Sequence, residues 1–316
     1  MPVLFVTRRL PASVEALAAR EFDARLTPSD VPISGLVARA EGADAVLCCP
    51  GDVLDTRTIA ALPQSVKVIG TFSVGYDHID VAAAKARGLK VCNTPDVLSV
   101  ATAECAMLLL LAAARRASEG ERLVRSGQWQ GWAPTQLLGT QVSGRRLGIL
   151  GMGRIGREIA RMARGFGMEI HYRDVARLPP DLEQGAIFHD RDDSFLPNCH
   201  FLSLNAPGGD NTRHWLNANR IAQLPAGAVV VNAARGTLVD DRALIEALRS
   251  GHLAAAGLDV YNAEPALNPA YLTLDNVFLL PHLGSATTET RDAMGRIVLS
   301  GIASLLAGET PSNVVT

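Results

Sequence analysis

Residues 146–174, RLGILGMGRIGREIARMARGFGMEIHYRD, restrict the fold more than any other stretch of the chain. Leu147, Ile149 and Leu150 form a short apolar run, and Gly151-Met152-Gly153-Arg154-Ile155-Gly156 follows at once. From Arg157 the apolar residues Ile159, Met162, Ala163 and Phe166 recur at three- and four-residue spacing, which predicts a helix. Residues 168–172 then read as a second strand, with Asp174 just beyond it. Strand, glycine turn, helix, strand and acid, in that order, are the context in which a G-x-G-x-x-G match carries weight. Gly151 permits the tight turn, Gly153 lets backbone approach a pyrophosphate, and Gly156 lets helix and strand pack closely. The N–H groups at the helix start, around Arg154 and Ile155, face the phosphates. Asp174, 18 residues past Gly156, is placed to accept hydrogen bonds from an adenosine ribose. The stretch predicts a dinucleotide site.

At 316 residues the chain is long enough for two cores, and the length favours two domains. A hydrophobic content of 48% against 20% charged residues marks a globular chain and excludes a disordered one. A net charge of −2 leaves no electrostatic footprint for nucleic acid or an anionic membrane. Five scattered cysteines form neither a C-x-x-C pair nor a ligand cluster, so no metal site is expected and a reducing compartment is. The first residues carry no secretory h-region, and the longest apolar run, 105–114, is too short to span a bilayer. These features point to the cytoplasm.

Residues 1–98 read as one α/β unit, with strands at 3–7, 45–48, 66–70 and 89–93. Helices are predicted between them at 14–20, 56–62 and 81–87. Alternating strands and helices imply a parallel sheet covered on both faces. The loop Ser73-Val74-Gly75-Tyr76-Asp77-His78 follows one strand directly, where successive N–H groups can hold a carboxylate. Taken alone it is more simply a turn with a capping aspartate. Residues 99–119 predict one helix, apolar on nearly every face, that bridges two domains or packs on a second subunit. Trp129 and Trp132, in the loop beyond it, suit an interface or a pocket as well as packing on that helix.

The alternation resumes after Asp174. Strands are predicted at 200–205, 228–232, 254–258 and 277–280, with a helix at 242–250. Asn205, Arg235, Asp259 and His282 stand at or just beyond the strand ends, which lie along one edge of a doubly wound sheet. Arg235 offers a planar fork for a carboxylate, and His282 is the natural proton donor near neutral pH. Glu264 would supply the carboxylate that stabilises an imidazolium. With a nicotinamide these groups equip the chain for hydride transfer to a 2-oxo acid, His282 protonating the carbonyl oxygen. Any one of the three alone is more simply a surface or core residue; the set on one edge is a site.

Eight motifs in order, SVGYDHID, NTPDVLSVATAE, GWAPTQLLG, LGILGMGRIG, LNAP, VNAARGTLVD, GLDVYNAEP and LLPHLGSAT, give the chain a close resemblance to the D-isomer-specific 2-hydroxyacid dehydrogenases. Within that family it is similar to the glyoxylate/hydroxypyruvate reductase branch. The resemblance spans essentially the whole chain. It implies two doubly wound parallel-sheet domains with a cleft between them. The Rossmann cofactor domain is 99–284; the flavodoxin-like substrate domain is 1–98 with 285–316. It implies Arg235, Glu264 and His282 as the catalytic set, and Val74, Gly75, Cys49 and Arg235 around the substrate. It further implies that Asp259 holds the nicotinamide carboxamide. Thr102, Asn205, Ala206, Pro207, Ala233, Ala234, Arg235, His282 and Gly284 would line the cofactor with the glycine turn. A homodimer joined through the cofactor domain is expected.

Asp174 would repel a 2′-phosphate and favours NAD, while Arg173 and Arg177 beside it leave room for NADP. Cys48-Cys49-Pro50-Gly51-Asp52 occupies a loop that faces the substrate in relatives, and glyoxylate, hydroxypyruvate and bulkier 2-oxo acids all fit the motifs. The same skeleton serves formate and phosphite dehydrogenases, 3-phosphoglycerate dehydrogenase and dinucleotide-responsive corepressors. Fold analogy does not separate these.

Overall fold

Short, largely apolar runs such as AVLC, VIGT, FLSL and AVVVN become strands buried along their whole length. Such runs need cover on both faces, which a parallel sheet with helices on each side provides. A computed structural model describes residues 1–316, and the chain divides into two compact units, 1–98 with 285–316, and 99–284.

The first unit contains strands β1 (Val3–Val6), β2 (Asp23–Arg25), β3 (Ala45–Cys48), β4 (Val68–Thr71) and β5 (Lys90–Cys92). They form one parallel sheet in the order β2-β1-β3-β4-β5. Helices α1 (Ala12–Glu21), α2 (Leu36–Arg39), α3 (Thr56–Ala61) and α4 (Val81–Ala86) connect them. The two-residue period of a strand is visible in the packing. On β3, Ala45 and Leu47 join the core under α1, whereas Val46 and Cys48 join the opposite core with Ile59 and Ala84. Asp55 and Asp80 cap α3 and α4 by accepting from the Thr58 and Ala83 N–H groups at 2.7 and 2.9 Å.

The second unit opens with α5 (Ser99–Ala114) and α6 (Ala117–Arg125). Its seven strands are β6 (Arg146–Leu150), β7 (Glu169–Arg173), β8 (Ile187–His189), β9 (Phe201–Leu204), β10 (Ala228–Asn232), β11 (Leu253–Leu258) and β12 (Val277–Leu279). All pair in parallel in the order β12-β11-β10-β9-β6-β7-β8. Between them run α7 (Arg154–Arg164), α8 (Pro180–Glu183), α9 (Asp192–Phe195), α10 (Ala218–Ile221) and α11 (Asp241–Arg249). The strand order reverses between β6 and β9, so the crevice of this sheet opens there. The last helix, α12 (Thr288–Leu306), packs on β4 and α1 of the first unit. Val298 and Ile302 press so closely on Gly70 that no side chain fits there.

Two features depart from the sequence reading. The single helix expected over 99–119 breaks after Ala114, where Arg116 turns left-handed at φ +53° and its guanidinium grips Glu119 through two hydrogen bonds of 2.7 and 2.6 Å. Within its own unit, helix α5 packs on α7, β10 and β11, and Val100 and Leu108 are exposed. Elements β2, α2, α8, β8 and α9 are three or four residues long, too short for a hydrophobic period to register.

Candidate active site

The glycine turn stands at the β6/β9 switch point. Gly151 follows β6 at φ +87°, and a Cβ there would come within 2.8 Å of the Ala206 nitrogen in the loop after β9. Gly156 packs against the Gly151 carbonyl, where a Cβ would stand 2.3 Å from the oxygen. Gly153 is the opposite case: nothing of the chain lies within 4 Å of where its Cβ would be. Helix α7 starts at Arg154 with no side-chain cap, and the Gly153 and Ile155 N–H groups have no acceptor within the chain. Open space in front of unpaired helix-start donors is what a pyrophosphate requires. A dinucleotide fits this cradle.

Asp174 lies at the end of β7, half-buried. Its Oδ2 accepts from the Met152 N–H and its Oδ1 from the Val175 N–H, both at 2.7 Å. The acid therefore braces the glycine turn. The two cations that the sequence sets beside it are engaged elsewhere. Arg177 donates twice to Glu183 at 3.0 and 2.9 Å, while Arg173 reaches Asp192 at 3.5 Å and the Asp174 carbonyl.

The carboxyl edge of the sheet continues through β10, β11 and β12. Buried Asn232 ends β10, accepts from the Ala234 N–H and donates to the Arg235 carbonyl, which shapes the Ala233–Arg235 loop. The Arg235 guanidinium is half-buried and donates to the Ala234 carbonyl at 2.7 Å. His282 Nδ1 meets Glu264 Oε2 at 2.7 Å, and Glu264 Oε1 accepts from the Tyr261 N–H at 2.9 Å. Burial pushes the Glu264 carboxyl up. The hydrogen bond and charge of His282, the Tyr261 N–H and the Arg235 guanidinium outweigh that and hold it below its ordinary value. Arg235, Glu264 and His282 are thus one electrostatic group.

Asp259 shapes the loop that carries His282. It is fully buried. Its carbonyl accepts from the His282 N–H at 2.9 Å, and its carboxylate oxygens accept from the Leu283 and Gly284 N–H groups at 2.6 and 2.8 Å. Three successive donors wrap around one residue. Asp259 holds the His282 loop. Thr102 of α5 lines the other side of Gly284, about 3.5 Å from where its Cβ would stand. Asn205 turns its amide back onto Ser203, and Ala206 and Pro207 continue beside Gly151. The sequence reading missed Asn232 and Tyr261. Their motifs were legible, but a buried amide and a phenol that bonds two main-chain carbonyls have no signature outside the fold.

In the first unit, Ser73 Oγ donates to the Gly75 carbonyl at 2.6 Å, and Asn93 Nδ2 donates to the Val74 carbonyl at 2.8 Å. With both carbonyls tied back, the Val74 and Gly75 N–H groups are left without an acceptor in the chain. Cys49 is buried at the end of β3, its thiol pushed up to about 12 by burial and by Asp52. No group of His, Cys, Asp and Glu side chains is arranged to hold a metal ion.

A doubly wound sheet with an open phosphate cradle and a carboxylate-supported imidazole on the same edge defines a nicotinamide-dinucleotide oxidoreductase. Residues 107–284 match the family described as D-isomer specific 2-hydroxyacid dehydrogenase, NAD binding domain. The chain is 43% identical to the glycerate dehydrogenase of Hyphomicrobium methylovorum over 96% of each chain. It is 39% identical to the glyoxylate reductase of Thermococcus kodakarensis over 99% of this chain and 96% of that one. Its fold also matches the crystal structure of an NADPH-dependent glyoxylate/hydroxypyruvate reductase from Sinorhizobium meliloti in complex with NADP and malonate. The TM-score is 0.88 at 32% identity, covering 100% of this chain and 97% of that one. The chain belongs to the D-isomer specific 2-hydroxyacid dehydrogenase family.

Proposed function

We propose that the chain reduces glyoxylate or hydroxypyruvate to the corresponding 2-hydroxy acid. The observation that carries this reading is the 2.7 Å contact between His282 Nδ1 and Glu264, because it leaves Nε2 of the same ring to hold a transferable proton. The bound dinucleotide supplies the hydride. His282 delivers the proton to the substrate oxygen, Glu264 stabilises the imidazolium before transfer, and the Arg235 fork anchors the substrate carboxylate. In the first unit, the unpaired Val74 and Gly75 N–H groups are assigned to substrate binding. Cofactor binding is assigned to 99–284, and substrate recognition to 1–98 with 285–316.

NADH is the expected partner in preference to NADPH. Asp174 would repel a 2′-phosphate, Arg177 is paired with Glu183, and Arg173 lies 3.5 Å from Asp192. The subunit is read as half of a homodimer built on the second unit. Five buried free thiols and an NADH-consuming reaction suit a reducing cytoplasm. The test is loss of reduced-nicotinamide absorbance with NADH or NADPH against glyoxylate, hydroxypyruvate, pyruvate and phenylpyruvate. Turnover of glyoxylate or hydroxypyruvate with NADH is expected. Silence across the panel, with NADH still bound, would dismiss the reductase reading.

A further inference from the structure

The β2-β1-β3-β4-β5 sheet has its own switch point, between β1 and β3. Ligands of open α/β sheets bind in such crevices, outside the carboxyl ends of the strands. Thr7 and Arg8 leave β1 there, and Cys49 to Asp52 leave β3. Asp52 is buried and fully used: it accepts from Thr7 Oγ1 at 2.6 Å, from the Cys49 N–H at 2.8 Å and from Arg8 at 3.1 Å.

Arg291, near the start of α12, faces the same place. It is half-buried, and its Nε donates to the Ser285 carbonyl at 3.1 Å, but its two Nη groups meet no acceptor and no carboxylate pairs with it. Burial pushes the guanidinium down, and Cys49 alone works against that shift. Cys49 is a neutral thiol at pH 7, and the neighbouring acid Asp292 receives Ser13 instead. A desolvated guanidinium is costly unless an anion or acceptor completes it, and no group of this chain does so. The Val74 and Gly75 N–H groups follow β4, two strands from β1 on the same carboxyl edge.

We propose that Arg291 is a specificity-determining residue that hydrogen-bonds an oxygen carried on C3 of the substrate, beyond the carboxylate held at Val74 and Gly75. The chain then favours 2-oxo acids with a C3 hydroxyl or carboxylate over pyruvate, whose C3 is a methyl group. The inference rests on the reductase reading and names the substrate class of that same site.

The experiment compares wild type with Arg291→Met, which keeps the aliphatic stem, and reads kcat/KM for hydroxypyruvate, pyruvate and glyoxylate. Only hydroxypyruvate carries a C3 oxygen. Its kcat/KM is expected to fall by about tenfold or more, the worth of a charged hydrogen bond, while the other two stay near wild type. An equal loss on all three, or no loss on any, would overturn the proposal; the first result would make Arg291 a prop for the Ser285 turn. Melting temperature and NADH affinity check folding. Should the Met variant fold poorly, Arg291→Lys gives a second reading, since a smaller loss still confined to hydroxypyruvate is expected and a uniform one overturns the idea. If wild type reduces none of the three, the reductase reading falls by itself. Calorimetric binding of tartronate in the presence of NADH then decides about Arg291: weaker binding by the Met variant supports the site, and equal affinity removes it.

Discussion

His282 is held at φ +58°, a left-handed backbone conformation that costs a non-glycine residue about 1–3 kcal/mol. What keeps it there is Asp259, which collects the N–H groups of residues 282, 283 and 284. His282→Ala is expected to lower kcat by about 10²- to 10⁴-fold, the usual worth of a general acid, while NADH titration by fluorescence shows near-normal binding. A variant with kcat close to wild type would remove His282 as proton donor. Asp259→Asn replaces one acceptor by a donor and leaves a buried N–H facing an NH₂. The expected result is a stability loss of about 1–3 kcal/mol and a reduced kcat, with NADH affinity retained. Weakened NADH binding with kcat unchanged would return Asp259 to the cofactor.

Glu264 adds a pH dependence whose sign follows from its depressed pKa. A carboxyl held below its ordinary value in the folded protein stabilises the fold while ionised, so the contribution is present at neutral pH. It is lost as pH falls below the ordinary carboxylate range and through the lower folded value. Melting curves for wild type and Glu264→Gln should therefore converge on acidification and separate toward neutrality. Parallel curves across that range would mean that the His282 contact contributes no net stabilisation.

At the scale of elements, the turn between β6 and α7 tolerates little. Gly151 combines φ +87° with a Cβ position 2.8 Å from backbone of the neighbouring loop, and backbone cannot swing aside as a side chain can. Gly151→Ala should lower stability by about 1–3 kcal/mol and weaken NADH binding, since the Gly153 and Ile155 N–H groups lose their aim. Denaturant melts and NADH titration measure both. An unchanged affinity would detach the turn from the cofactor. Helix α5 shows the limit of pattern reading. Its apolar surface correctly announced burial on several sides, but its end at Ala114 depends on the Arg116–Glu119 pair, which a hydrophobic period does not record.

For the whole molecule, the second unit displays an apolar surface that its own core does not use. Val124 of α6 and Trp129, Trp132 and Leu138 of the following loop are exposed, Trp132 by 82%. The proposed homodimer would bury these exposed apolar side chains. Light scattering should give the mass of a dimer for the wild type, and Trp132→Asp with Leu138→Asp should shift it toward the 33.5 kDa subunit. A double variant that remains dimeric would move the interface elsewhere.

The parallel α/β class, the glycine turn and its acid, and the histidine, glutamate and arginine of the candidate site were all readable from consecutive residues. Strand and helix periods and φ-demanding glycines are local properties, written in consecutive residues. It took the fold to show that Arg177 is paired with Glu183, that Asp259 braces the His282 loop, and that both Nη groups of half-buried Arg291 meet no acceptor. Those facts are properties of partners. A charge is free or spent according to groups brought to it by strands and helices from remote parts of the chain, and burial sets how much that difference is worth.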